Sequence, residues 1–179
     1  RQMCIRDSLY TEQDTQSLKL KSLCRFRQSL KKSKARLKIQ LSGYVNLLFP
    51  ELLSFFKSGI HISACYTLLK RCSSPAEIAA LRLDSLSRLL SNASRGRFSR
   101  STAEALKSLA KSSVGVKNPY ISIQIAQTIQ QIELLEQQID EIENVIKDTI
   151  CELDSVIMSI PGIGAIDGAM ILGEIGNID

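Results

Sequence analysis

Large apolar residues recur at every seventh position in the N-terminal part of the chain, from Thr15 to Leu48. Gly43 is the only helix-breaking residue in this stretch before Pro50. A sustained heptad spacing is typical of one long helix with a single buried stripe. We therefore predict a long helix over residues 9–50. Its stripe consists of Leu23, Leu30, Leu37, Leu41, Tyr44 and Leu48.

A second heptad pattern runs through residues 119–156. Isoleucine holds most of the first seam positions, and apolar or threonine side chains follow three residues later. This pattern predicts a helix that pairs either with the first helix, as an antiparallel hairpin, or with a second copy of the chain. A four-helix assembly is compatible with both arrangements. The seam consists of Ile125, Ile132, Ile139, Ile146 and Leu153, with Thr128, Leu135, Ile142 and Thr149.

The segment between the two heptad regions contains two helix-capping patterns. Residues 74–77 read SPAE, which is a capping box with proline at the first helical position, and predict a helix to about Leu90. Residues 101–104 read STAE and predict a short helix to about Lys111. The basic loop between them, residues 92–100, is either a nucleic-acid contact or an ordinary exposed loop.

The C-terminal segment, residues 157–179, places a glycine turn between two apolar stretches. The turn reads IPGIG, and its glycines Gly162 and Gly164 allow positive φ and a close approach of backbone N–H groups to a phosphate. The chain is therefore predicted to be all-α. It consists of long antiparallel coiled-coil helices, a small helical insertion over residues 51–118, and a helix-hairpin-helix-like motif at the end.

Charge is distributed unevenly around a formal net value of +5. Residues 15–50 contain nine Lys and Arg and no acid, whereas residues 133–154 contain eight acids and one Lys. Such an asymmetry favours a first helix that faces a polyanion, although the same residues are also compatible with a solvated helix. Together with Gly162 and Gly164, the candidate nucleic-acid-binding residues are Lys19, Arg25, Arg27, Lys31, Lys32, Lys34, Arg36 and Lys38.

The sequence offers no catalytic or metal-binding residue set. The five cysteines are scattered without CxxC spacing, which favours a reducing cytoplasm over a disulfide framework or a zinc site. His61 is the only histidine, and no Ser/His/Asp triad can be assigned around it. No apolar run reaches the ~18 residues of a membrane span. We therefore expect a cytoplasmic protein that has no membrane partner and that needs no cofactor within this chain.

Two stretches resemble one protein family. Residues 159–178 read SIPGIGAIDGAMILGEIGNI, and residues 23–52 read LCRFRQSLKKSKARLKIQLSGYVNLLFPEL. The first resembles the opening of the C-terminal domain of insertion-sequence transposases of the one-ten/one-sixteen group, which are related to Piv-type DNA invertases. The second resembles the basic helix that leads into the coiled-coil region of that family.

The resemblance implies DNA transposition at a RuvC-like DEDD acidic site, with Mg²⁺ or a similar divalent metal and a serine nucleophile. It also implies guidance by a structured non-coding RNA in some members. The lysine-rich context of the family's last RuvC-like aspartate is missing around Asp14, and the family's serine lies beyond Asp179. Asp167 and Gly168 stand where Thr-Ala is more usual, and Asp167 adds a negative charge beside the proposed phosphate site.

Residues 1–8 read RQMCIRDS and resemble a translated sequencing adapter, with a native start at Met3 as the alternative. We expect an internal transposase fragment that contributes DNA or guide-RNA binding and dimerisation through the coiled coil. On that expectation its parent is an enzyme, and the fragment itself holds neither the acidic set nor the serine. The alternatives are a non-catalytic helix-hairpin-helix DNA-binding protein and a coiled-coil adaptor.

Overall fold

The computed structural model describes residues 12–153 and 156–175 of the chain. Every regular element in these ranges is helical, which confirms the predicted all-α class. The prediction for residues 1–8 lies outside the described ranges. The α-helices are α1 (Glu12–Leu48), α2 (Leu52–Phe55), α3 (Ser63–Arg71), α4 (Pro75–Ala80), α5 (Leu83–Ala93), α6 (Arg100–Lys111), α7 (Pro119–Glu152) and α8 (Ala165–Ile175), and a single 3₁₀ turn covers Val156–Ser159.

The two long helices match the two heptad regions. Both run without a break, because neither contains an internal proline and their apolar stripes are buried against other helices. In α7, four of the predicted seam isoleucines are at most 4 % exposed. In α1, some of the buried residues differ from those predicted, since Leu23, Leu30 and Leu37 are only half-buried. The fully or almost fully buried positions of α1 are Leu20, Cys24, Leu41, Val45 and Leu48.

The helix predicted from Ser74 to about Leu90 is wrong in its length. The capping box is present, with Ser74 and Glu77 satisfying each other's backbone N–H groups, but the helix ends at Ala80. Leu81 then has an extended backbone, and its carbonyl oxygen accepts a hydrogen bond from Lys107 of α6. Two separate helices, α4 and α5, can therefore both pack on α6.

The capping prediction for residues 101–104 is also wrong. Helix α6 ends at Lys111 as predicted, but its N-cap is Ser99, two residues before Ser101, and the Ser99 side chain makes no capping hydrogen bond. The hydroxyl of Ser99 instead lies 2.7 Å from that of Ser101. Glu104 forms an ion pair with Arg100 at 3.4 Å and does not close a capping box.

The described chain divides into two compact units, and α1 and α7 contribute to both. Unit 1 comprises Arg1–Ser33 and Leu135–Asp179, and unit 2 comprises Lys34–Leu134. The insertion, residues 51–118, therefore forms one unit together with parts of both long helices. Unit 1 has a core drawn from α1, α7, the 3₁₀ turn and α8, whose buried members are Leu20, Cys24, Ile146, Ile150, Ile157, Ala169 and Leu172.

Unit 2 has the larger core. Its centre is formed by fully buried side chains from α1, α3 and α7 and from the turn after α1, among them Val45, Phe49, Leu68 and Ile129. Glu51 ties the loop after α6 to this core, because its carboxylate accepts hydrogen bonds from the Ser113 hydroxyl at 2.7 Å and the Val114 N–H at 2.9 Å. These contacts hold the connection between α6 and α7 in a defined path.

Candidate nucleic-acid interface

The two units carry opposite net charge. Unit 2 contains fourteen Lys and Arg against five Asp and Glu, a formal net charge of +9. Unit 1 contains nine against thirteen, a formal net charge of −4, and the two values add to the +5 of the whole chain. A polyanion is therefore attracted more strongly to unit 2 than the charge of the first helix alone suggests.

Two of the predicted contacts in α1 are paired within the chain. The guanidinium of Arg27 binds Glu143 of α7 at 2.7 Å, and its side chain is only 11 % exposed. Arg25 binds Glu174 of α8, with Nε 2.9 Å from one carboxylate oxygen and Nη2 3.1 Å from the other. Lys21 joins the same carboxylate at 3.2 Å. Hydrogen bonds from Arg25 and Lys21 lower the pKa of Glu174, so the pair is charged at neutral pH.

Four other basic residues of α1 are exposed. In unit 1 these are Lys19, Lys31 and Lys32, and in unit 2 it is Arg36. None of the four forms a hydrogen bond or an ion pair with another described side chain. Cationic side chains that are not ion-paired within the protein can neutralise phosphates without losing a contact. The remaining two candidates, Lys34 and Lys38, are half-buried on the same helix.

The glycine turn before α8 uses positive φ at one of its two predicted positions. Gly162 has φ +92°, whereas Gly164 does not have a positive φ. The segment before the turn is a single 3₁₀ turn, Val156–Ser159. Asp167 is exposed in the first turn of α8, where its carboxylate is favoured by the helix dipole and competes with an incoming anion.

The basic loop at residues 92–100 is partly committed to the fold. The ring of Phe98 packs on that of Phe56, with centroids 5.2 Å apart, so it is not available for stacking on a base. Arg100 lies in α6 and binds Asp84 at 2.6 Å. Arg95 and Gly96 turn the chain with positive φ, and Arg97 is exposed.

Two arginines that the sequence pattern did not indicate as candidates face one cleft in unit 2. Arg71 ends α3 and Arg88 lies in the middle of α5, and both line an open cleft of about 700 Å³ between these helices. Sequence spacing alone places each arginine on one face of its own helix, together with hydroxyl and amide side chains. What it does not show is that α3 and α5 face each other.

The side chain of His61 is held by hydrogen bonds within unit 2. The His61 ring lies 3.2 Å from the Ser42 hydroxyl and 3.0 Å from the Tyr66 hydroxyl, and it links α1 to α3. Within the described ranges, no three His, Cys, Asp or Glu side chains are grouped so as to bind a metal ion. The divalent metal implied by the family resemblance therefore has no ligand set among these residues.

None of the helices in the described part of the chain is both long enough and apolar enough to cross a membrane. Comparisons with protein families, with curated proteins and with solved structures found no match.

Proposed function

We propose that the chain is the nucleic-acid-binding and helix-pairing region of a DNA transposase. The observation that carries this proposal is the set of four exposed, unpaired cations on α1, Lys19, Lys31, Lys32 and Arg36. Three of them, Lys31, Lys32 and Arg36, lie in the stretch that resembles the basic helix of insertion-sequence transposases. Phosphates of DNA or of a structured RNA are the polyanions that such a helix binds in that setting.

The proposal limits the contact to part of the predicted residue set. Arg25 and Arg27 hold α8 and α7 through Glu174 and Glu143, so their charges are already matched inside unit 1. A phosphate reaching either of them has to displace a carboxylate. The four exposed cations, in contrast, gain phosphate contacts without losing an ion pair.

Helix pairing is proposed to be antiparallel and intramolecular. The ion pair between Arg27 and Glu143 and the buried cluster that Leu20 and Cys24 share with Ile146 support it in unit 1. Because the seam isoleucines of α7 are buried within one chain, a dimer has to use another surface. Exposed apolar residues of α7, such as Ile123 and Leu134 in unit 2, are the proposed dimer contacts.

Glutamine substitution of three exposed cations tests the proposed function. In the variant K31Q/K32Q/R36Q, we expect affinity for duplex DNA to fall several-fold at moderate salt, with a smaller salt dependence. The variant K57Q/K111Q/K117Q removes the same charge from exposed lysines of unit 2 outside α1 and serves as the matched control. Equal affinities for the two variants would show that α1 is not the contact.

A further inference from the structure

We propose that the cleft between α3 and α5 is a second nucleic-acid contact, a site for backbone phosphates of a nucleic-acid strand. Thr67 and Arg71 reach it from α3, and Ser85, Arg88 and Asn92 reach it from α5. The two residues on α3 are four positions apart, and the three on α5 are separated by three and four positions, so each set lies on one helix face. All five side chains offer hydrogen-bond donors, and no carboxylate lines the cleft.

With one exception, the side-chain donors of the cleft are not used within the fold. Arg88 Nε donates to the backbone carbonyl of Asp84 at 3.4 Å, and its terminal nitrogens have no described partner. The guanidinium of Arg71 and the side chains of Thr67, Ser85 and Asn92 form no hydrogen bond with another residue of unit 2, all of which is described. Two guanidinium groups, two hydroxyls and an amide therefore face solvent together.

All carboxylates of unit 2 are bound elsewhere. Two of them contact Arg100, with Asp84 at 2.6 Å and Glu104 at 3.4 Å. Glu133 binds Lys70 through both oxygens, at 2.8 and 2.9 Å. Glu77 caps α4, and Glu51 holds the loop after α6. Because the unit has no other acid, no carboxylate of unit 2 is paired with Arg71 or Arg88.

A phosphate suits this arrangement because a guanidinium group binds two phosphate oxygens at once and hydroxyl and amide donors complete the shell. The cleft is open to solvent and its lining also includes Leu89 and Ala93, so it can accommodate a strand and does not enclose a small ion. The net charge of +9 on unit 2 favours a polyanion over a single phosphate. This inference rests on the proposed nucleic-acid binding, although it uses a different surface.

The test compares R71Q/R88Q with K57Q/K117Q, which removes the same charge from exposed lysines of the same unit. Binding of a labelled single-stranded oligonucleotide is measured against salt, with circular dichroism to verify that helix content is unchanged. Loss of two phosphate contacts should weaken binding about tenfold at low salt and reduce the salt slope by roughly 1.4, whereas the control should change affinity less than about twofold. The Nε–H resonances of Arg71 and Arg88, assigned with the single variants, should shift when the oligonucleotide is added to the unmodified protein.

Four results would overturn the cleft as a nucleic-acid site, and a fifth would overturn the proposed contact on α1 instead. If R71Q/R88Q binds as tightly as the control, the cleft is excluded as a binding site, and the proposed contact on α1 is unaffected. If R71Q/R88Q weakens binding and K31Q/K32Q/R36Q does not, α1 is excluded as a contact and the cleft is supported. Inorganic phosphate or adenosine monophosphate that shifts both arginine resonances as strongly as the oligonucleotide would identify a free phosphate compound as the ligand. Equal shifts with a polyglutamate peptide would identify an acidic protein partner, and an absence of any oligonucleotide binding would contradict both proposals.

Discussion

Glu174 of α8 binds Arg25 of α1 through both carboxylate oxygens, at 2.9 and 3.1 Å, and it also contacts Lys21 at 3.2 Å. One carboxylate therefore holds the C-terminal helix of unit 1 against two cations of the basic helix. The same carboxylate occupies the place that a phosphate would take on these two residues. Within unit 1, this surface contact thus neutralises part of the charge that α1 presents.

Substitution of Glu174 by glutamine should strengthen nucleic-acid binding. The change leaves Arg25 and Lys21 without their carboxylate, so that both can neutralise phosphates. It should raise affinity for duplex DNA several-fold and increase the salt slope by about 1.8. Stability should change little, because the three side chains lie at the surface. Filter binding over a salt series measures the effect.

Glu152→Gln, which alters an exposed glutamate of unit 1 that has no described partner, is the control. Equal gains in the two variants would mean that only net charge matters.

Three glycine-to-alanine substitutions should have three different effects on stability. A methyl group at Gly173 would lie 2.8 Å from the backbone nitrogen of Lys21, so α8 and α1 would have to separate, at a cost of roughly 1–3 kcal/mol. At Gly168 it would meet the Met158 sulfur at 3.0 Å and the end of the Ile150 side chain at 3.1 Å. These flexible groups can move, so that change should be close to neutral.

Gly43 provides the control for the other two glycines. Nothing lies within 4 Å of its added methyl group, and replacement inside α1, five residues before the end of this helix, should stabilise the protein by about 0.5–1 kcal/mol. Urea denaturation followed by circular dichroism gives all three values. A Gly173→Ala protein as stable as the unmodified one would contradict the close approach of α8 to α1.

The stability of the protein should fall as pH is lowered through the range in which His61 titrates. Burial, together with the nearby charge of Lys38, lowers the pKa of His61 below its ordinary value. The neutral ring is therefore the form that the fold favours. Its contribution is complete above the unfolded-state pKa of about 6.5 and is lost as pH falls toward the folded-state pKa. The groups facing the ring are Ser42, Tyr66 and Lys38.

Urea denaturation at about pH 7.5 and pH 5.5 measures this loss of stability. The His61→Asn variant is the control, because it has no group that titrates at this position. The pKa values of Glu51 and Glu174 are lowered, so these carboxylates titrate below the window. A variant that loses as much stability as the unmodified protein would show that another group is responsible.

The described cysteines should differ sharply in reactivity toward thiol reagents. Burial raises the pKa of Cys65 to about 12 and also raises the pKa values of Cys24 and Cys72, whereas Cys151 is exposed. At about pH 8, roughly one part in ten thousand of Cys65 is thiolate. With Cys4 replaced by serine, we expect one fast-reacting thiol, which Cys151→Ser removes. Rapid labelling of a second thiol before unfolding would contradict the burial of the other three.

The sequence predicted the long helices well because their determinants are local and repeated. The seven-residue spacing in α1 and α7 and the capping box at Ser74 specify helix without reference to the rest of the chain. The end of α4 is different, since no proline or glycine marks Leu81. That break is stabilised by a tertiary hydrogen bond from Lys107, which lies 26 residues away.

Charge was harder to place from the sequence than helices were. The sequence shows nine cations in residues 15–50, but only the structure shows that Arg25 and Arg27 are matched by acids more than 100 residues away. The cleft with Arg71 and Arg88 depends equally on the tertiary structure. Its two helices are joined by α4 and its flanking turns, and nothing in that connection indicates which faces of α3 and α5 meet.

The salt dependence of DNA affinity is the most direct test of the proposed nucleic-acid binding. The protein is titrated with a labelled DNA duplex at several salt concentrations between about 50 and 200 mM, and the logarithm of the association constant is plotted against the logarithm of the salt concentration. We expect a steep straight line with negative slope, whose magnitude decreases in K31Q/K32Q/R36Q but not in K57Q/K111Q/K117Q. Undetectable binding at the lowest salt concentration, or an affinity that does not change with salt, would contradict the proposed function.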